Sequence, residues 1–280
     1  MKKFLNKAVP KTVGTLLNAS SIISSDYAAA KALSLFATPR KGFINKYQRQ
    51  FLNTSNKIQL SYNGYSIMTY HWEGKNKTLL LSHGWESNAS RWRKLIELLK
   101  ARDYNIIALD APAHGYSESK EFNAILYSEF INEVCNQFSP EIIIGHSVGG
   151  MASVFYQNKY KSQILKKLVL LGVPSEFETI LKSYTDLLNY NDKVLKSLNK
   201  LIENTFGAPP SAFSTAKFAQ SLNGVQGLII HDKKDKIISY SDAELIHKNF
   251  SNSQLIATSG YGHSLNNQEV YNHIIEFIID

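Results

Sequence analysis

The chain has 280 residues, 44% of them hydrophobic, which is enough for a sizeable core and excludes a globally disordered protein. A single cysteine, Cys135, excludes an intramolecular disulfide and any multi-cysteine metal site. Nine of the 31 Lys and Arg residues, but only one of the 23 acids, fall in residues 1–50. That stretch therefore carries the whole net charge of +8, the remainder is neutral, and a uniformly basic nucleic-acid-binding surface is not indicated.

The first segment, residues 1–55, reads as a basic arm. It opens MKKFLNKAVPK, but Pro10 and Lys11 break the apolar stretch that a signal peptide would need. No apolar run reaches the length of a transmembrane helix, and with the single thiol this places the chain in the cytoplasm rather than outside the cell. Val13, Leu16, Leu17, Ala28, Ala29, Leu33 and Phe36 are loosely helix-spaced. A helical arm packed on the body is expected, and a basic amphipathic helix lying on an anionic membrane is the alternative.

Two strands follow around Asn63-Gly64, a hairpin dipeptide. The short apolar run KTLLLS predicts a strand buried on both faces. Beyond it, helical and strand patterns alternate as in βαβ units, which implies a mostly parallel sheet. Residues 175–224 interrupt the alternation with about 50 residues of helical spacing, expected as a helical excursion between core segments 56–174 and 225–280. It carries Phe177, Tyr184, Tyr190, Phe206 and Phe213, with Phe218 near its end, which line an apolar acyl pocket or pack as core.

Gly145-His146-Ser147-Val148-Gly149 joins a strand to a helix in the pattern G-x-S-x-G. A serine there stands at the carboxyl edge of the sheet, where open α/β folds bind ligands. Gly145 and Gly149 remove the side chains that so sharp a turn would bring into collision. A serine hydroxyl needs a base, and His263, in the GYGHS loop after the last strand pattern, is the candidate. The imidazole in turn needs a carboxylate. HDKKD offers Asp232 and Asp235, of which Asp235 lies further into the loop and is preferred, with Asp232 free to cap the turn. Backbone N–H groups of Val148, at the helix start, and Trp85, after Gly84 in HGW, are the candidate oxyanion donors.

HGW, DAPAHGYS, GHSVGG, HDKKD and GYGHS, in this order, resemble the α/β-hydrolase superfamily over roughly residues 56–280. The resemblance implies an eight-stranded, mainly parallel sheet with a helical cap inserted after the sixth strand. Ala113 stands where the family commonly has glycine, and Asp110 and His114 would stabilise their loop rather than react. The expected activity is serine hydrolysis of an ester of a small, partly apolar molecule, with no metal or organic cofactor and no nucleic-acid partner. Thioester, amide and C–C hydrolysis use the same groups, so they stay open, as do a receptor-like ligand-binding fold and a membrane-attached interaction protein. A haloalkane dehalogenase is disfavoured, since it needs a carboxylate at position 147.

Overall fold

The computed structural model describes residues 2–279, with side chains from Val9 onward. Met1 and Asp280, the outer ends of the expected arm and core, lie outside the described residues. The chain divides into two compact units, residues 1–38 with 176–214, and residues 39–175 with 215–280.

The elements run α1 (Lys2–Ile23), α2 (Ser25–Ala37), α3 (Lys46–Leu52), β1 (Asn56–Tyr62), β2 (Tyr65–Trp72), β3 (Thr78–Ser82), α4 (Arg93–Lys100), β4 (Asn105–Leu109), α5 (Ala124–Phe138), β5 (Ile142–His146), α6 (Val148–Tyr160) and β6 (Lys167–Leu171). They continue with α7 (Phe177–Leu188), α8 (Asp192–Phe206), α9 (Thr215–Ala219), β7 (Gln226–Asp232), α10 (Tyr240–Asn249), β8 (Ser253–Thr258) and α11 (Gln268–Ile279).

The larger unit is built on one eight-stranded sheet of order β1-β2-β4-β3-β5-β6-β7-β8. Only the β1–β2 and β2–β4 pairings are antiparallel. Asn63 and Gly64 both have positive φ (46° and 82°), the conformation a two-residue hairpin turn demands. Every residue of β5 and β6 is buried, as is all of β3 after Thr78, which is why these segments read as continuous apolar runs without alternation. Leu79, Leu81, Ile144, Val169 and Ile230 from the sheet share one core with Trp92, Ile96, Ile274 and Ile278 from the helical layer. The chain passes from β4 across β3 to β5, so the order reverses beside the carboxyl ends of β3 and β5, where open α/β sheets form their crevice.

The smaller unit is all helical. Leu17, Ala28, Ala29 and Ala32 of α1 and α2 are buried with Leu181, Leu188, Val194, Leu198 and Ile202 of α7 and α8. A Cβ on Gly14 would fall 1.7 Å from the Leu188 carbonyl oxygen, so only glycine lets α1 approach α7 this closely. Asn18 then ties α1 to the α7–α8 turn, donating to the Asn189 carbonyl (2.9 Å) and accepting from the Asn191 N–H (2.8 Å). Phe36 of α2 packs edge-on against Phe177 and tilted against Tyr184, and Phe213 packs edge-on against Phe177 and Phe206, so these rings of the 175–224 segment pack with one another and with Phe36.

Both expected boundaries change. The arm, taken as residues 1–55 packed on the α/β body, is divided: residues 1–38 share their core with residues 176–214, because α1 and α2 bury their apolar faces there. Residues 39–55 do belong to the α/β unit, where Leu52 is fully buried and an Asn45–Gln48 capping box starts α3. At the other border, residues 215–224 leave the helical unit, with α9 docking Phe218 edge-on against Phe155 of α6.

Candidate active site

Ser147 sits between β5 and α6 with φ 52° and ψ −127°, a conformation unfavourable for a residue with a side chain. Gly145 meets the expected clash across the turn and Gly149 does not: a Cβ on Gly145 would meet Gly150 Cα at 2.5 Å, whereas one on Gly149 would meet the carbonyl oxygens of His83 and Ser82 at 2.4 and 2.5 Å. Gly149 is thus required by the approach of α6 to β3. Gly150, which the sequence pattern did not single out, faces Gly145 and would carry a Cβ 2.3 Å from Val173 Cγ2. Ser82 and Ser153 hydroxyls both donate to the Gly149 carbonyl and hold the first turn of α6 onto β3.

Loops after β7 and β8 deliver the other two side chains. His263 Nε2 lies 3.1 Å from Ser147 Oγ, and His263 Nδ1 lies 2.7 Å from Asp235 Oδ2. A carboxylate only accepts, so Nδ1–H donates to Asp235 and Nε2 is left to accept from the serine hydroxyl. Asp235 is itself oriented by the Ile237 and Ile238 N–H groups on its Oδ1 (2.7 and 3.1 Å). His231 Nε2–H donates to the Ile238 carbonyl (3.1 Å) and lies 3.4 Å from Asp235 Oδ2.

Asp232 does not reach His263. Its burial opposes ionisation, but the Tyr261, Lys234 and Gly260 N–H groups and the Thr258 hydroxyl outweigh that and hold its carboxyl down at about 2. It clamps the histidine loop to the end of β7.

Val148 opens α6, so its N–H is one of those with no acceptor inside the helix. Gly84 lies against the serine: a Cβ there would stand 3.0 Å from Ser147 Cβ and 2.7 Å from His146 Nδ1. The Gly84-Trp85 backbone therefore passes beside the hydroxyl.

That backbone is supported by buried polar groups. His83 Nδ1–H donates to the Gly84 carbonyl (2.8 Å), and its Nε2 accepts from the Ala111 N–H (2.9 Å). His114 Nδ1–H donates to Pro112 O and its Nε2 accepts from the Glu86 N–H. Burial lowers the pKa of both rings, and neutral imidazoles are what these donor–acceptor pairs require. Asp110 accepts from the Ala89 and Tyr116 N–H groups and the Tyr70 hydroxyl, while burial pushes its carboxyl up to about 6. His146 Nε2–H donates to the His263 carbonyl (2.9 Å), and half-buried Arg91 donates to the Ser264 carbonyl (2.9 Å). These two bonds hold the backbone at His263 and at the residue that follows it. His83, His146 and His231 lie inside sequence motifs that gave them no role; their signal was a polar side chain ending an apolar strand. Arg91 gave none.

Ala113 adopts φ 60°. Glycine takes this conformation without strain, so Ala113→Gly is expected to raise stability by about 0.5–1 kcal/mol, read as a higher denaturant midpoint. An unchanged or lower midpoint would show that the loop carries no strain there.

A model of the alpha/beta hydrolase fold family matches residues 77–207. The chain is an α/β-hydrolase-fold protein. It is 32% identical to the uncharacterized hydrolase YugF of Bacillus subtilis over 114 residues, which make up 39% of this chain and 41% of that one. It is 29% identical to protein phosphatase methylesterase 1 of Candida albicans over 140 residues, 46% of this chain and 39% of that one. The chain thus spans less than half the length of these curated relatives. Esterase RhEst1 of a Rhodococcus species superposes with a TM-score of 0.62 at 17% identity, covering 81% of this chain and 98% of that one. In this α/β-hydrolase-fold chain, no group of three or more His, Cys, Asp or Glu side chains among the described residues is arranged to hold a metal ion.

Proposed function

We propose that the chain is a serine hydrolase that cleaves a carboxylic ester of a small molecule through an acyl-enzyme. The observation that carries this is the unbroken hydrogen-bonded line Ser147–His263–Asp235, with the serine held at positive φ beside Gly84. His263 Nε2 takes the hydroxyl proton as Ser147 Oγ attacks the carbonyl carbon. The oxygen that gains charge is met by the N–H groups of Val148 and Trp85, fixed before the reaction begins. The imidazolium is stabilised by Asp235, which keeps Nδ1 protonated and Nε2 aimed at the serine. His263 then protonates the leaving alcohol, draws a proton from water, and the resulting hydroxide releases the acid and restores Ser147. An ester is preferred because relatives with a named bond include a methylesterase.

Labelling with a fluorophosphonate tests the reading. The wild type is expected to take up one label, located on Ser147 by peptide mass, and Ser147→Ala none. An unlabelled wild type, or equal labelling of the alanine variant, removes the proposal. A series of p-nitrophenyl esters of increasing chain length then reports the acyl preference.

A further inference from the structure

Residues 39–45 precede α3 without regular structure, and this strap lies against the loop that carries Trp85. The loop needs support there. Glu86, next after Trp85, has φ 50°, a left-handed conformation that a residue with a side chain keeps only where its surroundings impose it. The strap supplies those surroundings. The Arg40 N–H donates to Glu86 Oε1 (3.0 Å). The Gly42 carbonyl accepts from the Asn88 side chain (3.2 Å) and from the Gly115 N–H (3.2 Å), and so ties the loop after β3 to the loop after β4. Asn88 is buried, and its Oδ1 accepts from the Ser90 N–H and hydroxyl, which fixes the amide that reaches Gly42.

Gly42 fixes where the strap sits. It has φ 99°, and a Cβ there would stand 2.7 Å from His114 Cδ2 and 2.9 Å from the Ser87 carbonyl oxygen. Glycine alone lets the backbone lie against both. The consequence reaches the Trp85 N–H through the chain. Upstream, His83 holds the Gly84 carbonyl. Downstream, buried His114 holds the Glu86 N–H, and the strap holds the Glu86 carboxylate. A backbone N–H stabilises an oxyanion only if its direction is set before the reaction, and a displacement of about 1 Å is enough to forfeit much of the effect.

We propose that residues 40–42 are a positioning strap for the oxyanion loop: Arg40 acting through Glu86, and Gly42 acting through Asn88 and Gly115, aim the Trp85 N–H at the reacting oxygen. The inference rests on the serine-hydrolase reading above and adds to it a segment more than 40 residues away in the chain. These are positioning residues, since they act through Trp85. The charge on the oxygen exists in the transition state and not in the bound ester, so a loosened strap lowers kcat and kcat/KM together and leaves KM nearly unchanged. A strap that only covered the loop would change the denaturant midpoint and leave kcat alone.

Steady-state kinetics of the full chain on p-nitrophenyl butyrate, with fluorophosphonate labelling to count competent sites, tests this. Glu86→Ala removes the acceptor of the Arg40 N–H and is expected to lower kcat about ten-fold, with KM within about two-fold of the wild type. Glu86→Gln keeps an oxygen at that place and is expected to restore kcat to within about three-fold. Gly42→Ala drives a Cβ into His114 and Ser87 and is expected to lower kcat about a hundred-fold. A trifluoromethyl ketone adds to Ser147 Oγ, and its carbonyl oxygen takes up the charge that the N–H groups meet. Its inhibition constant should rise across the variants by the factor that kcat falls. Circular dichroism verifies the fold, and the Glu86 pair decides the question if Gly42→Ala does not fold. Unchanged kcat in Glu86→Ala, a loss that Glu86→Gln does not recover, or an inhibition constant that does not follow kcat overturns the proposal. In each of those cases Ser147 still takes the label. An unlabelled wild type instead removes the hydrolase reading itself, and the strap with it.

Discussion

Asp235→Asn is expected to lower kcat/KM for an ester substrate on the order of 10,000-fold. The amide can present its NH2 group to His263 Nδ1 or turn its oxygen there; in the first case the imidazole is driven to the wrong tautomer and Nε2 can no longer accept the Ser147 proton. The Ile237 and Ile238 N–H groups on Oδ1 favour placing the amide oxygen on their side, which leaves the NH2 facing His263. Asp232→Asn separates position from chemistry. It should cost less than about ten-fold in kcat/KM and about 2 kcal/mol in stability at neutral pH, because several donors lose a charged acceptor. The carboxyl is held at about 2, below its ordinary value, so its stabilising contribution is complete above about 4 and disappears as pH falls through 2. Steady-state kinetics and urea unfolding of both variants decide the assignment. A larger catalytic loss from Asp232→Asn would transfer the role to Asp232.

Acid should unfold the protein steeply. Burial lowers the pKa of His83, His114 and His146, so all three are neutral in the fold and recover about 6.5 when it opens. Below that pH the unfolded chain binds up to three protons that the folded chain refuses, and stability falls as pH drops. Asp110 acts in the other direction. Its folded value of about 6 lies above its unfolded one, so between about 4 and 6 the folded chain holds a proton that the unfolded chain lacks. Its one proton offsets only part of the uptake by the histidines, so stability still falls with pH, by about 1.4 kcal/mol per pH unit for each net proton. The urea midpoint should therefore fall sharply between about pH 6.5 and 5. A flat profile would mean that these histidines accept protons without opening the fold, and their hydrogen bonds to Gly84, Pro112 and His263 would need reassignment.

Much of the α/β unit was legible in the chain because its elements declare themselves locally. Asn63-Gly64 favours a hairpin by its backbone preferences, and TLLLS reads as a strand covered on both faces because its apolar run does not alternate. Ser147, Asp235 and His263 stood out because each follows a strand in a turn-rich loop, and parallel strands deliver such loops to one edge of the sheet. What supports them was less so. Gly149 showed in the motif but its reason did not: the carbonyl oxygen of Ser82, at the end of β3, lies 2.5 Å from where its Cβ would be, and β3 lies more than 60 residues earlier in the chain. His146 and Arg91 act on the His263 loop across similar or longer separations, and nothing in the neighbouring sequence reports a contact of that kind.

The helical unit marks the limit most clearly. Helix-spaced apolar residues in 1–38 and in 176–214 determine amphipathic helices, because a 3.6-residue period places those residues on one face. They do not determine which partner covers the face, since hydrophobic burial is not directional and any apolar surface of suitable shape satisfies it. Gly14 against the Leu188 carbonyl and Asn18 against the α7–α8 turn make that choice, by steric fit and hydrogen-bond geometry that exist only once the chain has folded. By itself the sequence determined an α/β sheet, the side chains brought to its carboxyl edge, and where the charge lies. The tertiary structure alone decided which helices share a core and which buried histidines hold the loops.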